Sequence, residues 1–177
     1  MTIASALRST QLNMIYARIV CGFASYVFLL SLFQNIPKIK QLFFVNPVGY
    51  LTVNFLGGIS NHNHEGWVLW HHGVKIMIND SCSGVVFYSF LFSYVLYSKL
   101  EQRHNLFLFL LLCYPLTIVI NLCRILCATK CHIHLSPYIP ERYHLALHMT
   151  VGLIVFLSGL IFVTIILNQF NKKESNV

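Results

Sequence analysis

The sequence predicts an all-α, polytopic transmembrane helical bundle of about four spans, or five if residues 42–60 also cross, with a small extracytoplasmic segment before Cys82. Three observations carry this. First, 56% of the 177 residues are hydrophobic and 10% are charged, with a mean hydropathy of +0.67, far from the averages of soluble domains. Second, the apolar runs at 84–98, 106–127 and 145–167 each approach or exceed the roughly 20 residues a helix needs to cross a bilayer, the first if it begins near Ser81. Third, Lys99, Arg103, Lys172 and Lys173 stand at the ends of apolar runs, where basic residues anchor and orient spans. Topology therefore accounts for the net charge of +7, and no nucleic-acid partner is expected.

Taken in order, the first apolar run covers 14–33 and has Arg8 and Arg18 near its start. The residues after it are "QNIPKIK" and not a small-residue cleavage site, so the run reads as an uncleaved anchor. Segment 42–60, "LFFVNPVGYLTVNFLGGIS", is long enough to span. Asn46, Pro47, Asn54 and the Gly57-Gly58 pair suit an interfacial or partly inserted helix better, and the Lys and Arg count balances either way. Within 61–82, residues 67–70 and 74–78 read as short extended stretches around a His-His-Gly turn, an external hairpin that delivers the chain to Cys82. The link "SKLEQRHN" and the tail carrying Lys172 and Lys173 are cytoplasmic by the positive-inside rule. The stretch before Cys82 and the loop after Cys127, "ATKCHIHLSPYIPER", then lie outside, in one membrane domain over 1–177. Of the six cysteines, Cys21 and Cys113 fall inside apolar runs, so no disulfide framework is expected.

Helices that alternate in direction bring the start of one span, the end of the next and the start of the third to the same membrane face. Cys82, Arg124 and His148 hold those positions. At about 1.5 Å per residue, Arg124 and His148 each lie roughly 5 Å from the outer ends of their helices. A thiol at a helix N-terminus feels the positive end of the macrodipole, and a nearby guanidinium adds to it, both favouring the nucleophilic thiolate. A buried arginine keeps its charge and needs an interior partner or a wet cavity, and beside a thiolate it can hold the oxyanion of a tetrahedral intermediate. A histidine moves protons at neutral pH. Together they form an acyl-transfer set. Each alone has an ordinary reading: a packed small hydrophobe, a snorkelling arginine and a headgroup histidine.

Competing clusters exist. His62, His64, His71 and His72 stand in one external segment, and Cys127, Cys131, His132 and His134 in another, and His and Cys at short spacing can bind zinc or copper. Neither has a closed structural-zinc spacing, and polar interfacial loops are their ordinary reading. His144 and His148, four apart on one helix face, lack the glutamate of H-E-x-x-H. No phosphate loop or dinucleotide fingerprint is present, so no cofactor is expected. The alternative to acyl transfer is a non-enzymatic metal- or haem-handling membrane protein that uses the external histidines.

"CSG" at Cys82 to Gly84, N-x-x-R at Asn121 to Arg124 and H-x-x-x-G at His148 to Gly152, in that order on successive apolar helices, resemble the exosortase and archaeosortase family. The chain is most similar to its compact subtype, exosortase K, over roughly the last hundred residues. The resemblance implies a membrane-embedded cysteine protease and transpeptidase with Cys82, Arg124 and His148 as its catalytic triad. It further implies exported substrates whose C-terminal sorting signal joins a short motif, a transmembrane helix and a basic cluster. The protein would be cleaved near the motif through a thioacyl intermediate and transferred to a surface acceptor. The implied location is the bacterial cytoplasmic (inner) membrane, among its lipids, with the site on the extracytoplasmic side. Functions residing in the extra helices and C-terminal domain of larger exosortases are not expected. His144, one turn before His148, is a helper or rival. Ser83, Gly84, Asn121 and Gly152 are assigned to substrate approach or to packing, since glycine admits both.

Overall fold

The computed structural model describes residues 3–63, 66–100 and 103–174. Helices dominate, and among the described residues four are long and apolar enough to cross a membrane, over Leu12–Asn35, Asp80–Lys99, Leu106–Tyr138 and His144–Gln169. They belong to α1 (Ile3–Asn35), α4 (Val85–Lys99) with the turn before it, α5 (Arg103–Leu135) and α6 (His144–Glu174). Between α1 and α4 come α2 (Pro37–Lys40), a π-helical turn (Gln41–Val45), α3 (Asn46–Leu56) and the strands β1 (Ile59–Asn63), β2 (Gly66–His71) and β3 (Val74–Ile78).

The chain divides into two compact units. The first holds residues 1–39 and 85–117, in which α1 packs along α4. Small residues make the close approach: Gly22 faces the Ser93 carbonyl and the Tyr97 side chain, and the Ser25 and Ser93 hydroxyls lie 2.9 Å apart. Tyr88 meets Phe33 and Tyr114 edge-on at 6.0 and 6.5 Å. Large apolar side chains of α1, such as Val20, Phe23 and Phe28, remain exposed, as a helix facing lipid requires.

The second unit holds residues 40–84 and 118–177. Its sheet is antiparallel with order β1-β2-β3. A two-residue turn joins β2 to β3 through His72 (φ 47) and Gly73 (φ 77), the doubly left-handed turn whose twist suits a hairpin. One face of the sheet buries Leu69 and Ile78 together with Phe44, Val45 and Val48, each apolar side chain contributing roughly 1.5–3 kcal/mol. Gly49 lets α3 lie against the Trp67 ring, for a Cβ there would overlap the indole. Lys40 pairs with Asp80, tying the start of this unit to the turn that carries Cys82.

Two boundaries differ from the sequence expectation. Segment 42–60 is helical only to Leu56, and Ile59 and Ser60 begin β1. "ISNHN" is exposed at every position and lacks the apolar alternation that marks a strand. Helix α5 does not end at Cys127 but runs to Leu135, because no breaker intervenes before Ser136 and Pro137.

Replacing Gly49 with leucine in a Trp70→Phe background should cost about 1–3 kcal/mol from overpacking and shift Trp67 emission to the red. Unchanged emission and unfolding midpoint would contradict the α3 contact.

Candidate functional site

The CSG turn is built from local bonds. Asn79 caps a single 3-10 turn (Asp80–Cys82), its side-chain oxygen accepting from the Ser81 amide at 3.1 Å and the Ser81 hydroxyl at 2.8 Å. The Cys82 amide donates to the Asn79 carbonyl at 2.9 Å, and that of Ser83 to Asp80 at 3.3 Å. Gly84 then reverses the chain into α4 with φ +74, a conformation that L side chains avoid. A second reason for glycine stands beside it: a Cβ at Gly84 would lie 3.0 Å from the Asn121 side chain.

Asn121 is fully buried and bonded on both sides. Its Nδ2 donates to the Cys82 carbonyl at 2.6 Å, while its Oδ1 accepts from Arg124 Nη1 at 3.3 Å. The N-x-x-R spacing puts both side chains on one face of α5. Arg124 then crosses α6 at Gly152, where a Cβ would come within 3.1 Å of Nε, and its guanidinium lies 5.2 Å from the centre of the Phe156 ring. His148, Gly152 and Phe156 recur every fourth residue and so form one stripe of α6. Arg124 and His132 are both within electrostatic reach of His148. Among the described residues no carboxylate pairs with Arg124.

Cys82 and His148 border the same cavity, of about 250 Å³. Its walls are the whole of β3, the α5 face carrying Ile125, Ala128, Thr129 and His132, and His144, Leu147 and His148 of α6. Arg124 is not among the bordering residues; it reaches the site through Asn121. The Cys82 thiol is nearly buried, and its sulfur lies 3.9 Å from the Met77 carbonyl. No hydrogen bond joins it to His148 or Arg124 among the described residues. His144 Nε2 donates to the Ile139 carbonyl at 3.0 Å, and its ring stands edge-on to His132 at 4.9 Å. The helper position is thus held by a loop carbonyl and a second imidazole.

His132 is the residue that sequence reasoning left in a loop. Its signal was the spacing of Ile125, Thr129 and His132 at i, i+4 and i+7, one helical face. His62 lies 3.2 Å from Asn46 Oδ1 with its ring against Trp67, and His71 and His72 contact each other; His64 lies outside the described residues. Among those described, no group of three or more His, Cys, Asp or Glu side chains is placed to hold a metal ion.

What the fold defines is a mostly helical chain in which, among the described residues, four helices are long and apolar enough to cross a membrane, as in a multi-pass membrane protein. No protein-family model, curated protein or solved structure matches it.

Changing Asn121 to leucine keeps the branched shape but adds bulk and orphans the Cys82 carbonyl, and should cost about 1–3 kcal/mol or more. Asn121→Asp, unable to donate when ionised, should be at least as damaging. Thermal unfolding in detergent checks both, and wild-type midpoints would remove Asn121 from its structural role.

Proposed function

We propose that the protein is a membrane-embedded cysteine transpeptidase of the exosortase type, which cleaves the C-terminal sorting signals of exported proteins and passes them to a surface acceptor. One observation carries the reading: CSG, N-x-x-R and H-x-x-x-G interlock in one unit. Asn121 bonds the Cys82 backbone on one side and Arg124 on the other, Gly152 makes room for Arg124, and His148 shares a cavity with Cys82. An arrangement made only for helix packing has no need of a guanidinium that, among the described residues, pairs with no carboxylate and is bonded to the same amide as the Cys82 backbone.

The chemistry follows from these groups. Cys82 passes its proton to His148 and the sulfur attacks the scissile carbonyl. The oxyanion is held by Arg124, which spends one donor on Asn121 and keeps the others of its fork. As the C–N bond breaks, the imidazolium returns the proton to the leaving amine, and the acyl group stays on Cys82 as a thioester. An acceptor amine or water then attacks that thioester, gives its proton to His148 and restores the thiol. His144, bonded to Ile139, positions the histidine cluster and is not assigned a proton of its own.

The bordering residues of α5 lie near its C-terminal end, and those of α6 near its start. Both ends would face the extracytoplasmic side of the bacterial cytoplasmic membrane, where a substrate helix beside the bundle brings its motif to Cys82. The 33 residues of α5 measure about 50 Å, longer than the roughly 30 Å hydrocarbon core. An overhang at its C-terminal end would give the cavity access to water and to a polar acceptor.

The test is co-expression with an exported protein ending in a short motif, an apolar helix and a basic cluster, followed by its size on immunoblots. Cys82→Ala should abolish processing. Arg124→Lys should slow it by roughly 10²-fold or more, since a point charge does not reproduce the planar fork. Processing at the wild-type rate by Cys82→Ala would refute the mechanism.

A further inference from the structure

The cavity beside Cys82 has a wall of unusual kind. All five residues of β3, from Val74 to Ile78, border it in unbroken succession. Side chains of a strand alternate between two faces, so a cavity that meets every residue meets the edge of the strand. That edge is the outer one. The sheet order is β1-β2-β3, and among the described residues no strand pairs with the far side of β3.

The register tells which peptide groups point there. The turn at His72 and Gly73 makes His71 and Val74 a hydrogen-bonded pair, and such pairs alternate along an antiparallel ladder. Ile76 and Ile78 therefore bond back to β2 opposite Leu69 and Trp67. Lys75 and Met77 send their N–H and C=O groups outward. An independent contact agrees: the carbonyl that the Cys82 sulfur approaches, at 3.9 Å, is that of Met77. The free edge of the sheet and the thiol thus open on the same space.

We infer that the outer edge of β3 is the docking strand for the substrate: an extended peptide segment adds to the sheet as a fourth strand, pairing with Lys75 and Met77 and laying its following carbonyl on Cys82. This rests on the transpeptidase reading and supplies what that reading lacks, a way to hold a peptide in a fixed register without a deep side-chain pocket. Main-chain pairing at an exposed sheet edge supplies affinity, and pockets for alternate side chains supply selectivity. The buried face of β3 directs Ile76 and Ile78 into the core, while Lys75 and Met77 are exposed. The peptide acquires specificity from what it meets across the cavity, chiefly Thr129 and His132.

The experiment uses the full-length protein in detergent and a pool of acetyl-tetrapeptide chloromethyl ketones, randomised at all four residues. The thiolate displaces chloride and leaves a thioether on Cys82, read by mass spectrometry. A second pool is methylated on its backbone nitrogens. Rates are divided by the iodoacetamide rate at Cys82 of the same protein, which needs no docking. Backbone methylation should slow the wild-type reaction by about tenfold or more, the loss of two or so backbone hydrogen bonds. Met77→Pro and Lys75→Pro, which remove outward N–H groups at sites where an edge strand tolerates proline, should do the same. Equal rates for the two pools would overturn the inference, as would complete disulfide cross-linking of Lys75→Cys between two copies, which would give the edge to a second chain. Failure of iodoacetamide to modify wild-type Cys82 would instead refute the transpeptidase reading, and this inference with it.

Discussion

The hydrogen bond from Asn121 Nδ2 to the Cys82 carbonyl, 2.6 Å long across 39 residues of sequence, is the constraint on which the rest of the site depends. The backbone bonds of the CSG turn run to Asn79 and Asp80, just before it in the chain. Its glycine weakens the backbone by admitting conformations that other residues exclude. Buried and bonded on both oxygen and nitrogen, Asn121 converts that loose turn into a fixed point. The same side chain orients Arg124, so one amide sets the position of the thiol backbone and of the guanidinium together. Burying a polar network of this kind is stabilising only when its members are satisfied, which explains why Gly84 and Gly152 leave space where Asn121 and Arg124 pass.

Around that fixed point the second unit gathers groups of different origin. The strand edge comes from a hairpin closed by a left-handed turn, the imidazoles from the end of α5 and the start of α6, and the thiol from the turn between β3 and α4. In the proposed chemistry the strand holds the peptide, the thiol attacks, the guanidinium takes the charge and the imidazole moves the proton. Arg124 would act on the site without bordering the cavity in its free form, and among the described residues the Cys82 sulfur makes no bond to His148. A substrate carbonyl standing between them would complete contacts that the free protein leaves open, as catalytic hydrogen bonds often do.

Much of the helical architecture was legible because lipid imposes a simple rule: a spanning helix must be apolar over its whole length. The runs at 106–127 and 145–167 show it plainly. The end of α5 was not legible, since its last turns mix Thr129, Lys130, Cys131 and His132, a composition equally suited to a loop. Strand β1 was hidden for the opposite reason, being mostly polar and exposed at every position. At the site, the spacing of Asn121 and Arg124 stood out in the sequence, but the bridge from Asn121 to Cys82 depends on a contact between distant segments. His132 was read as a loop residue because its helix was ended too early, and with that helix extended it falls on the same face as Ile125 and Thr129.

The central claim is that Cys82 carries an acyl group during turnover, and mass spectrometry of Cys82 tests it most directly. Protein isolated from cells that also express an exported sorting-signal substrate should yield a Cys82 peptide bearing the substrate's new C-terminus as a hydroxylamine-labile thioester in the wild type, and lose it when His148 is changed to glutamine and acylation slows. A wild-type Cys82 found only as free thiol while the substrate is still being processed would contradict the account.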